Sequence, residues 1–125
     1  MSTVLAVAGG GALGAVARYL MMAGVGMWLG PGYPYGTMVV NVLGSLIFGA
    51  LVEMMALVWN IGGDFRAFIV IGILGSFTTF STYSLDAVVL FHRGDMIGTA
   101  LYVVGSVVLA LAGFVAGMAL VRVAV

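Results

Sequence analysis

Cysteine and lysine are absent from this chain, and charge of either sign is scarce, with four arginines and four carboxylates among 125 residues. Without cysteine there are no disulfides and no thiolate metal sites. The single His92 cannot build a zinc site alone. With net charge zero, nothing points to nucleic acid. Hydrophobic residues make up 64% of the chain and charged ones 6%, too few charges to cover the surface of a soluble domain of this size. No nucleophile–base pair or metal cluster is apparent, so an enzyme is not expected. The composition is that of an integral membrane protein.

A spanning helix needs roughly 20 mostly apolar residues, and the chain divides into four such runs. They cover about 4–28, 36–59, 66–91 and 96–122, each near that length. The first lacks a preceding basic region, and no small-residue cleavage pattern ends it cleanly, so it reads as a retained helix. Both prolines, Pro31 and Pro34, fall in the first connection. Trp28, Tyr33, Tyr35, Trp59 and Phe91 lie near span ends, where interfacial aromatics belong. Gly10/Gly14, Ser45/Gly49 and Gly113/Gly117 have the small-xxx-small spacing of close helix packing.

Four spans put Arg66 and Arg122 on one side and Arg93 on the other, with Arg18 inside the first span and nearer the Arg93 side. Orientation normally follows an excess of Lys and Arg in cytoplasmic loops. That excess is almost nil here, so insertion in both orientations and an antiparallel dimer are expected. Such a dimer supplies the inverted repeat that larger transporters encode within one chain.

Six of the twelve Ser and Thr residues fall in Gly75-Ser76-Phe77-Thr78-Thr79-Phe80-Ser81-Thr82-Tyr83-Ser84, in the middle of the third apolar run. Polar or irregular backbone at mid-depth survives only inside protein or beside a wet cavity. Gly72, Gly75 and Ser76 weaken the helix and hydroxyls compete for its backbone groups, so the third span is expected to break and free carbonyls there. Such carbonyls suit a small hard cation. Phe80 and Tyr83 share a helix face, and the positive edge of an aromatic ring can hold a small anion without trapping it. Thr37, Asn41 and Ser45 form a polar stripe on the second helix, and Tyr102 and Ser106 a shorter one on the fourth that stops at Ala110 and Phe114. An intramembrane arginine is a functional candidate by default, which singles out Arg18. Asp86 lies close enough to the polar stretch to face a vestibule. For Glu53, a solvated helix end or a structural ion pair is the expectation.

The third-helix stretch resembles the G-G/S-x-T-T-F-S-T-F/Y signature of the Fluc/CrcB fluoride channels. Tyr35-Gly36-Thr37 with Val40-Asn41 resembles that family's G-T-x-x-V-N, and Gly10 to Arg18 its G-x-x-x-G-x-x-x-R. The motifs follow in the family's order and the four-span layout covers the whole chain. The resemblance implies a dual-topology antiparallel homodimer in the cell (inner) membrane, with two fluoride pores and a central structural Na⁺. It puts the backbone carbonyls of Gly75 and Thr78 on the Na⁺ and makes Phe80 and Tyr83 the pore aromatics. Asn41, Thr37, Ser81, Thr82, Tyr102 and Ser106 complete the polar lining, with Arg18 and Asp86 at a vestibule. Tyr83 stands where many members have Phe, Ser76 where others have a second Gly, and Ala110 and Phe114 where hydroxyls are frequent. Two other classes compete. A small multidrug transporter wants a mid-membrane carboxylate, and none stands in the first span. A structural subunit predicts no flux.

Overall fold

In a computed structural model describing residues 1–125, four helical spans run through an all-helical chain. Helix α1 is Ser2–Leu29, α2 Tyr35–Leu57 and α6 Met96–Ala124. The third span is composite. It begins as α3 (Gly63–Arg66), continues as a π-helical segment, Ala67–Leu74, and a short α4 (Gly75–Phe77), then breaks and resumes as α5 (Phe80–His92). Each end lies within three residues of the boundary read from hydropathy. The first connection is set locally: Gly30, at φ 80°, terminates α1 in a conformation that suits glycine, and Pro34 occupies the N-cap of α2.

Small residues decide which helices touch. A side chain added at Gly117 would meet the Leu46 carbonyl at 2.0 Å, so α2 and α6 pack backbone to backbone. Gly49 makes the reciprocal approach to Phe114, and Phe48 and Phe114 close that seam edge to face at 5.7 Å. Gly10 and Gly14 sit equally close to Phe68 and Ile73, joining α1 to the π-helical segment. Glycine pairs read from spacing alone are therefore helix contacts. Glu53, 5% exposed, pairs with Arg122 at 2.5 Å near the ends of α2 and α6, which is the structural ion pair expected of it.

Only 17 residues are buried, because most apolar side chains point outward. That is the arrangement of a chain solvated by lipid rather than water. Trp28, Trp59 and Phe91 are exposed at span ends, whereas Tyr33 turns inward and donates to the Gly98 carbonyl at 3.1 Å.

Candidate functional site

The third span breaks at Thr78 and Thr79, whose backbones are extended (ψ 158° and 118°). Sequence placed the weakness slightly earlier, at Gly72 to Ser76. Those residues remain helical, with Gly72 inside the π-helical segment and Gly75 and Ser76 in α4. The reason is local competition for backbone groups. Thr79 Oγ1 accepts the Thr82 amide at 3.2 Å and so caps α5. Asn41 then grips the peptide groups of Thr79 from α2: its Nδ2 donates to the Thr79 carbonyl at 2.9 Å, and its Oδ1 accepts the Thr79 amide at 2.8 Å. The Asn41 amide carries a donor and an acceptor side by side, which lets it match one residue's carbonyl and amide together.

These diversions free carbonyls. The Thr79 amide would otherwise close a turn on the Gly75 carbonyl, and the Thr82 amide a turn on the Thr78 carbonyl. Both now go elsewhere. Arg18 reaches the Thr78 oxygen only at 3.5 Å, the outer limit of a hydrogen bond. The Arg18 guanidinium therefore faces the helix break. It lines neither of the two polar cavities described next.

Around the break lies a cavity of about 230 Å³, lined by Asn41, Ser45, Thr78, Thr79, Phe80, Tyr83, Ser106, Val107 and Ala110. Ser106 Oγ is buried without a hydrogen-bond partner. A buried, unmatched hydroxyl costs about 1–3 kcal/mol unless something binds it, so this group stands ready for an acceptor. Phe80 is 77% exposed at mid-span, with its ring 5.4 Å from that of Tyr83. The extra hydroxyl of Tyr83 donates to the Val103 carbonyl at 2.9 Å, so it anchors the ring to α6.

A second cluster lies toward the α1–α2 connection. Thr37 Oγ1 donates to Asp86 Oδ2 at 2.6 Å and the Tyr102 hydroxyl donates to the same oxygen at 3.1 Å. Tyr102 is fully buried, 5.4 Å from Tyr83 and edge-on to Tyr33 at 5.9 Å. Burial, then the neighbouring Tyr35 and Asp95, hold the Tyr33 phenol above its ordinary pKa, so it stays a neutral donor to Gly98. Thr37 and Asp86 also line a second cavity of about 230 Å³ that opens beneath Gly30–Pro34. Hydroxyls and ring edges thus link the two cavities along α2, α5 and α6.

The predicted residues divide between these clusters. Asn41, Phe80, Tyr83 and Ser106 surround the break, and Thr37, Tyr102 and Asp86 form the second group. Ser81 and Thr82 line neither cavity. They lie on the first turn of α5, where Thr79 Oγ1 donates to Thr82 Oγ1 at 3.0 Å and lies 3.4 Å from Ser81 Oγ. Ala110 borders the first cavity, while Phe114 belongs to the α2–α6 seam. Two contributors escaped sequence reading, Thr79 as cap and clamp target and Tyr33 as an inward-facing ring. A threonine directly ahead of the resuming helix, a residue type favoured at N-caps, was the available signal for the first.

The family model described as "CrcB-like protein, Camphor Resistance (CrcB)" matches residues 5–118. The fluoride-specific ion channel FluC of Nitrobacter winogradskyi is 51% identical over 120 residues, 96% of this chain and 95% of that protein. That of Rhodospirillum centenum is 51% identical over 125 residues, 100% of this chain and 99% of the other. The FluC of Cereibacter sphaeroides is 52% identical over 122 residues, covering 98% and 96%. With a match across nearly its whole length and four spans fit to cross a membrane, this chain is a multi-pass membrane protein of the CrcB-like family.

Proposed function

We propose that this protein is a passive, fluoride-selective channel that lets fluoride leave the cell down its gradient, and not an enzyme. The observation that carries the proposal is full-length kinship with FluC channels in a chain whose polar groups line up along one side of a broken helix. Fluoride is small and strongly hydrated, so its path must replace water with donors of moderate strength. Ser106 Oγ offers an unmatched hydroxyl, and the Phe80 and Tyr83 rings offer electropositive edges. No positive side chain lines the cavity at the break, which favours passage over trapping.

The working unit is an antiparallel homodimer with two pores. Phe80 supports this reading, since a ring 77% exposed beside polar groups at mid-span gains a cover when a second copy packs against the break. Arginine placement supports it too, as Arg122 is engaged by Glu53 and leaves little net bias to orient insertion. A single cysteine at Gly62→Cys, on an open loop position, should be labelled by an impermeant thiol reagent from both faces of the membrane. Labelling from one face alone contradicts dual topology.

The carbonyls of Gly75 and Thr78 suit a structural Na⁺, because both have lost their helical amide donors and hard oxygen ligands are what such an ion takes. A Na⁺ held by the Gly75 and Thr78 carbonyls would supply a fixed positive charge at the helix break. Within each chain, Asn41 holds the break open and Thr79 starts the next helix.

Liposomes loaded with fluoride and chloride test the function. Purified protein should release fluoride rapidly and chloride negligibly, read with ion-specific electrodes. Folded dimers that release no fluoride contradict the proposal.

A further inference from the structure

The cavity beneath Gly30–Pro34 holds two charged residues, Arg93 and Asp86. Asp86 has two hydroxyl donors on one oxygen, but its negative charge still faces any anion approaching Thr37. A path for anions that begins at a carboxylate needs an opposing charge at its mouth. Arg93 is exposed, lines the same cavity, and has no carboxylate within ion-pair distance, since the sole salt bridge joins Arg122 to Glu53. Its neighbour Asp95 is held otherwise, accepting the Gly98 amide at 2.8 Å as the cap of α6.

The turn makes this placement firm. The Arg93 amide donates to the Val89 carbonyl at 3.1 Å at the end of α5. Gly94 then reverses the chain at φ 78°, a conformation suited to glycine. The guanidinium therefore projects from a fixed base. The other arginines are placed differently: Arg18 faces Thr78, Arg122 faces Glu53, and Arg66 stands at the start of the third span.

We infer that this cavity is an anion-collecting mouth for the polar track, and that Arg93, rather than Arg18, supplies its attracting charge. The inference rests on the fluoride-channel reading. A charge that acts by concentrating ions works through the field in water, so its effect must fade as salt screens it. A merely structural arginine has no such dependence.

The test is fluoride efflux from liposomes bearing wild-type protein, Arg93→Gln, Arg93→Glu or Arg93→Lys, with ionic strength set by sodium gluconate. At about 0.01 M the screening length is about 30 Å, and at about 1 M it is about 3 Å. At low ionic strength Arg93→Gln should reduce flux about three- to tenfold and Arg93→Glu more, within the lower range of steering effects. Arg93→Lys should retain most of the flux. At high ionic strength all four should converge, which also shows that the variants are folded. Equal loss at both ionic strengths, or no loss at the lower one, overturns the role of Arg93 while leaving the channel intact. A wild-type protein without fluoride flux overturns both.

Discussion

Replacing Asn41 tests how the break is held. Its side chain makes two hydrogen bonds to one residue, at 2.9 and 2.8 Å, and that residue, Thr79, is 7% exposed. Asn41→Ala leaves an amide and a carbonyl unmatched together. In water-soluble proteins each loss costs about 1–3 kcal/mol. Interhelical bonds in membranes average nearer 0.6 and reach about 1.7 kcal/mol, because the unfolded chain also finds partners. The membrane value applies here, so the pair should contribute about 1–3 kcal/mol. Unfolding in mixed detergent micelles reads this difference. Flux should fall about five- to a hundredfold, since 1.4 kcal/mol corresponds to a factor of ten and the same two bonds set the backbone beside the path. Asn41→Asp separates stability from conduction. Its carboxylate still accepts the Thr79 amide, but it turns the second donor into an acceptor facing the Thr79 carbonyl and adds negative charge beside the cavity. It should conduct less fluoride than Asn41→Ala. If Asn41→Ala matches wild type in both stability and flux, the clamp has been misread. If Asn41→Asp conducts better than wild type, Asn41 does not border an anion path.

Phe80→Ile should leave the stability of the single chain's fold nearly unchanged, because the ring is exposed there, yet abolish fluoride flux. Retained flux removes the ring from the path. Gly117→Ala puts a methyl group 2.0 Å from the Leu46 carbonyl and should destabilise the protein by more than about 2 kcal/mol, at the upper end of overpacking effects. A wild-type unfolding midpoint shows instead that α2 and α6 can separate freely. Exchanging Na⁺ for a large organic cation should lower the thermal stability of the assembled dimer, measured by size exclusion after heating. Indifference to Na⁺ removes the proposed role of Gly75 and Thr78.

Four spans were legible because lipid demands long apolar helices, and few residues interrupt them. The break was legible as a region, since six hydroxyl residues crowd one stretch, but its position was not. Glycine suggested Gly75 or Ser76, whereas the backbone opens at Thr78 and Thr79 because Asn41, distant in sequence, takes the Thr79 amide. Local propensity cannot show a partner on another helix. The stripe Thr37, Asn41 and Ser45 followed from helical periodicity, and its residues do line the two cavities. Asp86 was legible as a candidate, but its two hydroxyl partners come from α2 and α6, so only the packed helices reveal the cluster. The surroundings of Arg18 were hidden for the same reason: an arginine inside a span announces itself by its burial cost, but not the carbonyl it faces. Tyr33 looked like an interfacial anchor by position, and the fold turns it onto Tyr102 instead.

The most direct measurement is the reversal potential of purified protein in a planar bilayer, with fluoride on one side and chloride on the other at equal Na⁺ concentration. A fluoride-selective channel gives a current that continues until the voltage strongly opposes fluoride flow, with chloride carrying almost none. A reversal potential near zero, showing that the two halides pass alike, contradicts the account.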